Sequence, residues 1–240
     1  MSLEAIIFDV DGTLAETEEV HRAAFNQAFA QAGLSWHWDQ QLYGRLLKVT
    51  GGKERIRHYL DSHAIGALGA DPASAIAALH AAKTARYAEL VDRGAMQLRP
   101  GFKALLQDAR RDGIRLAIAT TTSMPNVTAL LRAALGDQAR GYFEIIAAGD
   151  TVAHKKPAPD IYLSALTQLR LPASACLAVE DSQHGLRAAL AAGIATLVVS
   201  SSYTRGDDFR GAALVVASLE DAADRLGASS TLNALRALHS

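Results

Sequence analysis

The stretch from Ala5 to Leu14, AIIFDVDGTL, decides the fold. Its first four residues form a short apolar run, which is typical of a fully buried strand. Asp9 and Asp11 follow directly, and side chains two positions apart in an extended chain point to the same side. Gly12 then allows a sharp turn. The stretch therefore predicts two carboxylates together at the carboxyl end of a strand, where open α/β sheets bind their ligands.

Two carboxylates this close need a neutralising partner, because like charges in one site repel each other. A cation, a shared proton or both would meet the need. A divalent metal ion beside a carboxylate that acts as a nucleophile fits it well.

Further apolar runs alternate with helical stretches along the chain, which favours an α/β fold with a Rossmann-like parallel sheet flanked by helices. Helical periodicity is found at Gly101–Asp112 and Pro125–Leu135, and the stretch from Leu219 onward predicts one final helix. The predicted strands are Ala5–Asp9, Leu116–Thr120, Ile145–Ala148, Leu177–Val179, Ala195–Val199 and Leu214–Val216.

One region, residues 16–92, lacks strand signals. It predicts an inserted α-helical cap domain, with the α/β core in residues 1–15 and 93–240. The turn signal Leu98–Gly101 marks the return to the core. A module inserted after the first strand would lie over the two aspartates as a lid. The predicted cap helices are Val20–Ala32, Gln40–Leu47, Gly52–Asp61 and Ala73–Val91.

The composition is that of an ordinary globular protein: half of the 240 residues are hydrophobic and the net charge is −1. This balance gives no electrostatic reason to expect nucleic acid as a partner. No apolar stretch approaches the roughly 20 residues that span a bilayer, so no membrane is expected either. Asp9 comes too early for a leader peptide, and the single cysteine, Cys176, favours a reducing compartment. We expect a cytoplasmic monomer, with a plastid as the alternative if a transit peptide has been removed.

Four polar segments follow predicted strands or precede a helix, and they are Asp9–Thr13, Thr120–Ser123, Lys155–Asp160 and Glu180–Ser182. Together they supply what phosphoryl transfer requires: a nucleophilic carboxylate, a second carboxylate for the leaving-group proton, acids for a metal, and a hydroxyl and a lysine for the phosphate oxygens. Each segment alone can be a turn, a helix cap or a solvated charge. Their joint occurrence in this order favours the functional interpretation.

This set resembles the four motifs of the haloacid dehalogenase-like phosphohydrolases in order and spacing, and the resemblance covers essentially the whole chain. The predicted cap resembles the α-helical cap of that family. Three stretches are similar to the beta-phosphoglucomutase and CbbY-type sugar-phosphatase branch: Glu16–Glu18 with His21, Lys156–Tyr162 and Glu180–Gly185.

The resemblance implies roles for the core residues. Asp9 is the nucleophile, and Asp11 is the general acid and base. Thr120 and Lys156 bind the phosphoryl group that is transferred. An aspartyl phosphate is the implied intermediate, and a phosphorylated sugar is the implied partner. CbbY-type members act on xylulose 1,5-bisphosphate, so a sugar bisphosphate is the expected substrate.

The implied cofactor is Mg²⁺. Asp9 and the backbone carbonyl of Asp11 are expected to bind it, and Asp181 completes the metal shell. Glu180 is either a further ligand or a neighbour of the ligands. Magnesium prefers a few carboxylates together with phosphate and water, which agrees with this shell.

The segment Thr50-Gly51-Gly52-Lys53 is the main candidate for binding the rest of the substrate. Paired glycines expose backbone N–H groups, and the lysine stands at a predicted helix start, so the segment can hold a second phosphate. A flexible hinge between cap helices is the alternative. A cationic cap site predicts a substrate with two anionic ends.

Further substrate-binding candidates lie in the cap and beyond the second motif: Glu18, His21, His80, Lys83, Thr121, Thr122 and Arg132. Lys83 matches a family cap lysine. The other cap candidates can also be packed or solvated side chains.

Two other functions stay open at this point. A phosphomutase of the beta-phosphoglucomutase kind is the first, although Thr122–Pro125 differs from the Lys-Asn that often follows the second motif in mutases. A non-catalytic binding module is the second, and any turnover that Asp9→Asn abolishes would exclude it. A dehalogenase is disfavoured because Asp11 would have no role there.

Overall fold

The computed structural model describes residues 2–63, 68–69, 71–149 and 151–239. Six strands form one parallel sheet: β1 (Ala5–Phe8), β2 (Arg115–Thr120), β3 (Ile145–Ala148), β4 (Cys176–Glu180), β5 (Ala195–Val199) and β6 (Leu214–Val216). The strand order is β3-β2-β1-β4-β5-β6, so β1 lies inside the sheet where the order reverses. The predicted parallel α/β sheet is confirmed, and each predicted strand agrees with the observed one to within a residue at either end.

Alternation along β1 explains how the sheet is buried on both faces. Ile6 and Phe8 pack on one side, and Ala5 and Ile7 pack on the other. The helices of this part are α5 (Phe102–Arg111), α6 (Met124–Leu135), α7 (Asp160–Leu169), α8 (Gln183–Ala191), α9 (Leu219–Leu226) and α10 (Thr231–His239).

The C-terminal stretch corrects one prediction, because the single helix expected from Leu219 is two helices, α9 and α10. Gly227 ends α9 in the left-handed region, with φ of 59°, and its N–H bonds to the carbonyls of Ala223 and Asp224. Thr231 then begins α10. A glycine that follows an apolar helical pattern is an ordinary stop signal, so the sequence contained the information.

Between β1 and α5 the described residues form four helices: α1 (Glu18–Gln31), α2 (Gln40–Leu46), α3 (Gly52–His63) and α4 (Pro72–Asp92). Their core is aromatic, with Trp38 at 4.7 Å from Phe25 and 4.9 Å from Phe29 between ring centroids. This helical layer therefore has an apolar core of its own.

One apolar contact joins this layer to the helices of the sheet. Val20 and Ala24 of α1 and Tyr87 and Val91 of α4 are buried with Ala129 of α6. We call this group the apolar seam. Within the described part of the chain, the search for a helix that combines the length and the apolar character of a membrane span finds none.

Candidate active site

Lys156 connects the carboxyl ends of three neighbouring strands. Its Nζ donates to Asp9 Oδ1 and to Glu180 Oε1, each at 2.6 Å, and to the carbonyl of Ala119 at 2.9 Å. The N–H of Asp9 bonds to the carbonyl of Val179, so the ladder between β1 and β4 continues up to the aspartate. The central strand therefore delivers Asp9 to the edge of the sheet as the sequence predicts.

The acids at this edge are buried and repel one another. Burial raises the pKa of Asp9 to about 7; the nearby Lys156 opposes this rise and Glu180 adds to it. Burial and the charges of Asp9 and Glu180 also raise the pKa of Asp181 well above its ordinary value. A bound cation would relieve this repulsion.

Asp9, Glu180 and Asp181 offer oxygen atoms that all lie within 4.8 Å of one another. An all-oxygen donor set suits a hard divalent cation such as Mg²⁺. Glu180 Oε1 already accepts from Lys156 and from the Tyr162 hydroxyl, whereas its buried Oε2 has no partner among the described residues. The residues present therefore fit a metal ion, with Asp9 and Asp181 facing the cavity.

Gly12 makes room for this cluster. Its φ is +78°, and a Cβ at this position would stand 2.1 Å from Asp181 Oδ2. A side chain here would displace the carboxylate, so both the turn and the close approach require glycine.

Asp11 is held by side chains from the start of the helical layer. Its Oδ1 accepts from Thr17 Oγ1 at 2.7 Å and from His21 Nε2 at 2.9 Å. Burial by itself would raise the pKa of Asp11, but His21, Thr17 and Lys83 outweigh it and hold the pKa well below the usual range. In this arrangement Asp11 is an anion that accepts hydrogen bonds.

His21 is in turn fixed by Lys83, whose Nζ lies 2.7 Å from His21 Nδ1. Because an ammonium group can only donate, Nδ1 accepts, and Nε2 carries the hydrogen that reaches Asp11. The imidazole stacks on Tyr87 at 4.1 Å. Lys83 is only 4 % exposed, and burial lowers its pKa to about 8. The side chains of Lys83 and His21, which are buried, and of Asp11, which faces the cavity, thus form a hydrogen-bonded chain that links the end of β1 to α1 and α4.

A cavity of about 460 Å³ lies between the sheet edge and the helical layer. It is lined by most of the residues that the sequence analysis singled out. They are Asp9, Asp11, Glu18, His21, Thr50, Gly51, Gly52, Lys53, His80, Lys83, Thr120, Thr121, Thr122, Lys156 and Asp181.

Two candidates do not line this cavity. Glu180 is fully buried behind it and holds Lys156. Arg132 lies in the last turn of α6, exposed, and its guanidinium donates to both carboxylate oxygens of Asp92 at 2.6 and 2.8 Å. The structure therefore corrects the assignment of Arg132 to substrate binding.

The glycine pair of Thr50–Lys53 is packed tightly against other cavity residues. A Cβ at Gly52 would stand 2.5 Å from His80 Nε2, and one at Gly51 would stand 2.9 Å from Lys155 Nζ. Gly51 also has a φ of +99°. A Cβ at Gly51 would stand even closer to the Glu54 carboxylate, at 2.1 Å from Oε2. The backbone of this segment can approach His80, Lys155 and Glu54 only because both residues are glycines.

Sequence reasoning missed other residues that line the cavity, among them Lys48, Arg55 and Tyr203. Arg55 donates to the Tyr43 hydroxyl, which donates to Glu18 Oε2 at 2.8 Å. Lys48 and Arg55 reach the cavity through the packing of α2 and α3, and Tyr203 reaches it from the loop after β5. No local motif marks them. Lys155 also lines the cavity. Unlike the others it could have been found from the sequence, because it lies next to Lys156 in the segment Lys155–Asp160.

Known proteins resemble this chain over most of its length. The model of the haloacid dehalogenase-like hydrolase family matches residues 3–193. Protein CbbY of Rhodobacter capsulatus is 54 % identical over 213 residues, which cover 88 % of this chain and 92 % of that protein.

Two solved structures of CbbY from Rhodobacter sphaeroides superpose on the chain with a TM-score of 0.85, and each comparison covers 90 % of this chain and 94 % of the other. One, at 53 % identity, is a complex with phosphate, and the other, a mutant at 52 % identity, is a complex with xylulose 1,5-bisphosphate. These findings confirm the predicted fold and the predicted enzyme class, a phosphatase. The chain therefore belongs to the haloacid dehalogenase-like hydrolases.

Proposed function

We propose that this enzyme is a magnesium-dependent sugar-phosphate phosphatase, and that its substrate is a sugar bisphosphate such as xylulose 1,5-bisphosphate. One observation carries the proposal. A single cavity combines Asp9, Asp11 and Asp181 from the sheet edge with cationic side chains from the helical layer, including Lys53 and Arg55. A relative of 52 % identity has been crystallised with this bisphosphate, which supports the choice of sugar.

In the first half of the reaction, a carboxylate oxygen of Asp9 attacks phosphorus, and the bond to the sugar oxygen breaks. Asp11 is an anion in the free site, so during turnover the proton that it gives to the leaving oxygen is the one that it took from water in the second half of the preceding cycle. Lys156, 2.6 Å from Asp9, is close enough to stabilise the oxygens of the phosphoryl group together with the Thr120 hydroxyl. The product is an aspartyl phosphate and the free sugar hydroxyl.

In the second half, water attacks the aspartyl phosphate and releases inorganic phosphate. Asp11 takes the proton of this water, and the low pKa set by its neighbours means that it is ready as an anion. His21 and Thr17 both bond to Oδ1, so no hydrogen bond from these two residues occupies Oδ2.

The carboxylates of Asp9 and Asp181 and the backbone carbonyl of Asp11 would hold Mg²⁺. The ion, when bound, offsets the negative charge of the phosphate oxygens. Glu180 then acts through Lys156, which it binds at 2.6 Å, and its role is to hold that lysine beside the nucleophile.

The second phosphate is assigned to the segment Thr50–Lys53. Its backbone lies against His80, Glu54 and Lys155, which the two glycines permit, and the charges of Lys53 and Lys155, which both line the cavity, favour an anion there. Residues 16–92 act as the cap in this proposal, closing over the sugar between two charged ends. We further propose a monomeric protein of the cytoplasm, in keeping with the buried free thiol of Cys176.

The test is an assay of phosphate release in the presence of Mg²⁺, across pentose and hexose mono- and bisphosphates. We expect a ketopentose bisphosphate to give the highest kcat/KM. Asp9→Asn is expected to lose nearly all turnover, because an amide cannot attack phosphorus. Asp61→Asn makes the same change at an exposed position of α3 and should leave the rate unchanged.

The covalent step is tested separately. Borohydride reduces an acyl phosphate, so quenching the enzyme during turnover should convert Asp9 to homoserine, visible by peptide mass analysis. Absence of this product during measurable turnover would refute the aspartyl-phosphate route. Formation of an isomeric sugar phosphate without free phosphate would instead establish a phosphomutase.

A further inference from the structure

Arg99 is a buried cation that no step above uses. It is 7 % exposed and lies within the turn Leu98–Gly101, where the chain returns to the sheet. Its guanidinium donates to four backbone carbonyls: those of Gly12, Val199 (2.7 Å), Ser200 (2.8 Å) and Ala217 (2.5 Å). Its backbone N–H bonds to the carbonyl of Leu14 at 2.9 Å.

These carbonyls belong to the ends of different strands. Val199 is the last residue of β5, Ala217 directly follows β6, and Gly12 lies in the turn after β1. At the carboxyl edge of a parallel sheet such groups have no further strand to pair with, and burying a carbonyl unpaired is unfavourable. A planar guanidinium can serve several carbonyls at once, whereas a lysine ammonium is a point charge with fewer donors.

Two of the carbonyls belong to the backbone around the acid cluster. Gly12 directly follows Asp11. Ser200 directly precedes Ser201, whose side chain lies beside the Asp181 carboxylate and helps to keep its pKa down. A Cβ on Gly12 would meet both Asp181 Oδ2, at 2.1 Å, and the Cβ of Ser201, at 3.3 Å. Asp181 is therefore enclosed between the two backbone segments that Arg99 holds.

We propose that Arg99 is a positioning residue for the metal site: by fixing the backbone of Gly12 and Ser200, it keeps the Asp181 carboxylate where a divalent cation needs it. The proposal rests on the proposed magnesium dependence. Arg99 does not line the cavity, so it acts through the backbone and through Ser201 rather than on the substrate.

The test compares Arg99→Lys with wild type by titrating Mg²⁺ into the metal-free protein in a calorimeter, well below the unfolding temperature. We expect the Kd for Mg²⁺ to rise on the order of tenfold, the usual effect of losing a group that orients a metal ligand. The KM for the bisphosphate at saturating Mg²⁺ should change by less than about threefold, since substrate contacts are intact.

The control is Arg115→Lys. Arg115 also binds a backbone carbonyl, that of Leu169, together with Glu144, but it begins β2 at the opposite edge of the sheet. The substitution Arg115→Lys should lower the melting temperature without changing the Kd for Mg²⁺. A Kd for Arg99→Lys within twofold of the wild-type value would overturn the proposal, and so would an equal weakening in Arg115→Lys. Wild-type protein that binds no Mg²⁺ would refute the proposed function itself.

Discussion

Substituting Lys83 by methionine should change how the free energy of unfolding depends on pH. Lys83 lies almost entirely inside the protein, with its ammonium 4.9 Å from the ring centre of Phe25 and 5.3 Å from that of Tyr87. Methionine keeps a long unbranched side chain and removes the charge. The exchange therefore removes the buried charge with little change in side-chain shape, and the dependence of stability on pH reports what that charge costs the folded state.

The size of that cost follows from the pKa. Burial lowers the pKa of Lys83 from 10.5 to about 8, and one pH unit corresponds to about 1.4 kcal/mol. The charged form therefore destabilises the folded protein by about 3 kcal/mol below pH 8. Because the unfolded chain binds this proton more tightly, the penalty fades as the pH rises from 8 towards 10.5. When the pH is raised from 7 to 9.5, the free energy of unfolding of the wild type should therefore increase by about 2 kcal/mol relative to that of Lys83→Met.

A second effect works in the opposite direction. Without Lys83, His21 Nδ1 has lost the donor at 2.7 Å, and an unpaired buried acceptor costs about 1–3 kcal/mol. At pH 7 this loss cancels part or all of the stability that Lys83→Met gains by losing the buried charge. The loss itself does not vary between pH 7 and pH 9.5. Activity should fall by about ten- to a hundredfold, because His21 is no longer held in the form that donates to Asp11.

Urea unfolding of the metal-free proteins at several pH values between 7 and 9.5 measures the difference. Lys103→Met is the matched control, since Lys103 is exposed on α5, and its stability relative to wild type should not depend on pH. A stability difference between wild type and Lys83→Met that stays constant over this range would show that the buried charge costs nothing, and the reasoning would fail.

Three further predictions concern other parts of the chain. Lys53→Ala should raise the KM for sugar bisphosphates more than for monophosphates, and an equal rise for both would exclude the segment Thr50–Lys53 as the site of the second phosphate. Gly52→Ala should raise the same KM, because its Cβ would stand 2.5 Å from His80 Nε2, whereas Gly141→Ala has no atom within 4 Å to meet and should leave kinetics unchanged. The Cys176 thiol has its pKa raised to about 11 by burial, so iodoacetamide at pH 8 should label it in urea and not in the native protein; rapid native labelling would contradict its burial.

The sheet could be predicted from sequence because its strands are continuous apolar runs. β3, β5 and β6 were predicted to the residue, and the chain's polar groups cluster where the runs stop. Local sequence is enough for this, since burial on both faces requires apolar residues at every position.

The remainder of the site depends on contacts between distant segments. Arg99 was seen only as part of a turn, yet its partners lie up to 118 positions away. Arg55 reaches the cavity through α2 and α3. Arg132 was assigned to substrate binding from its position shortly after the second motif. That position does not reveal which face of α6 carries Arg132, and in the structure its side chain pairs with Asp92. Such assignments need the packing of whole helices.

The apolar seam around Ala129 has a consequence for how ligands enter. Elsewhere the two layers meet through the hydrogen bond of His21 with Asp11, the ring contact of Tyr43 with Tyr203, and exposed ion pairs such as that between Lys155 and Glu54. Exposed pairs contribute only about 0–1 kcal/mol. Separating the seam would instead expose aliphatic and aromatic surface at about 25 cal/mol per Å². We therefore expect the seam to stay closed while ligands enter, so that any tilt between the two layers pivots on α6.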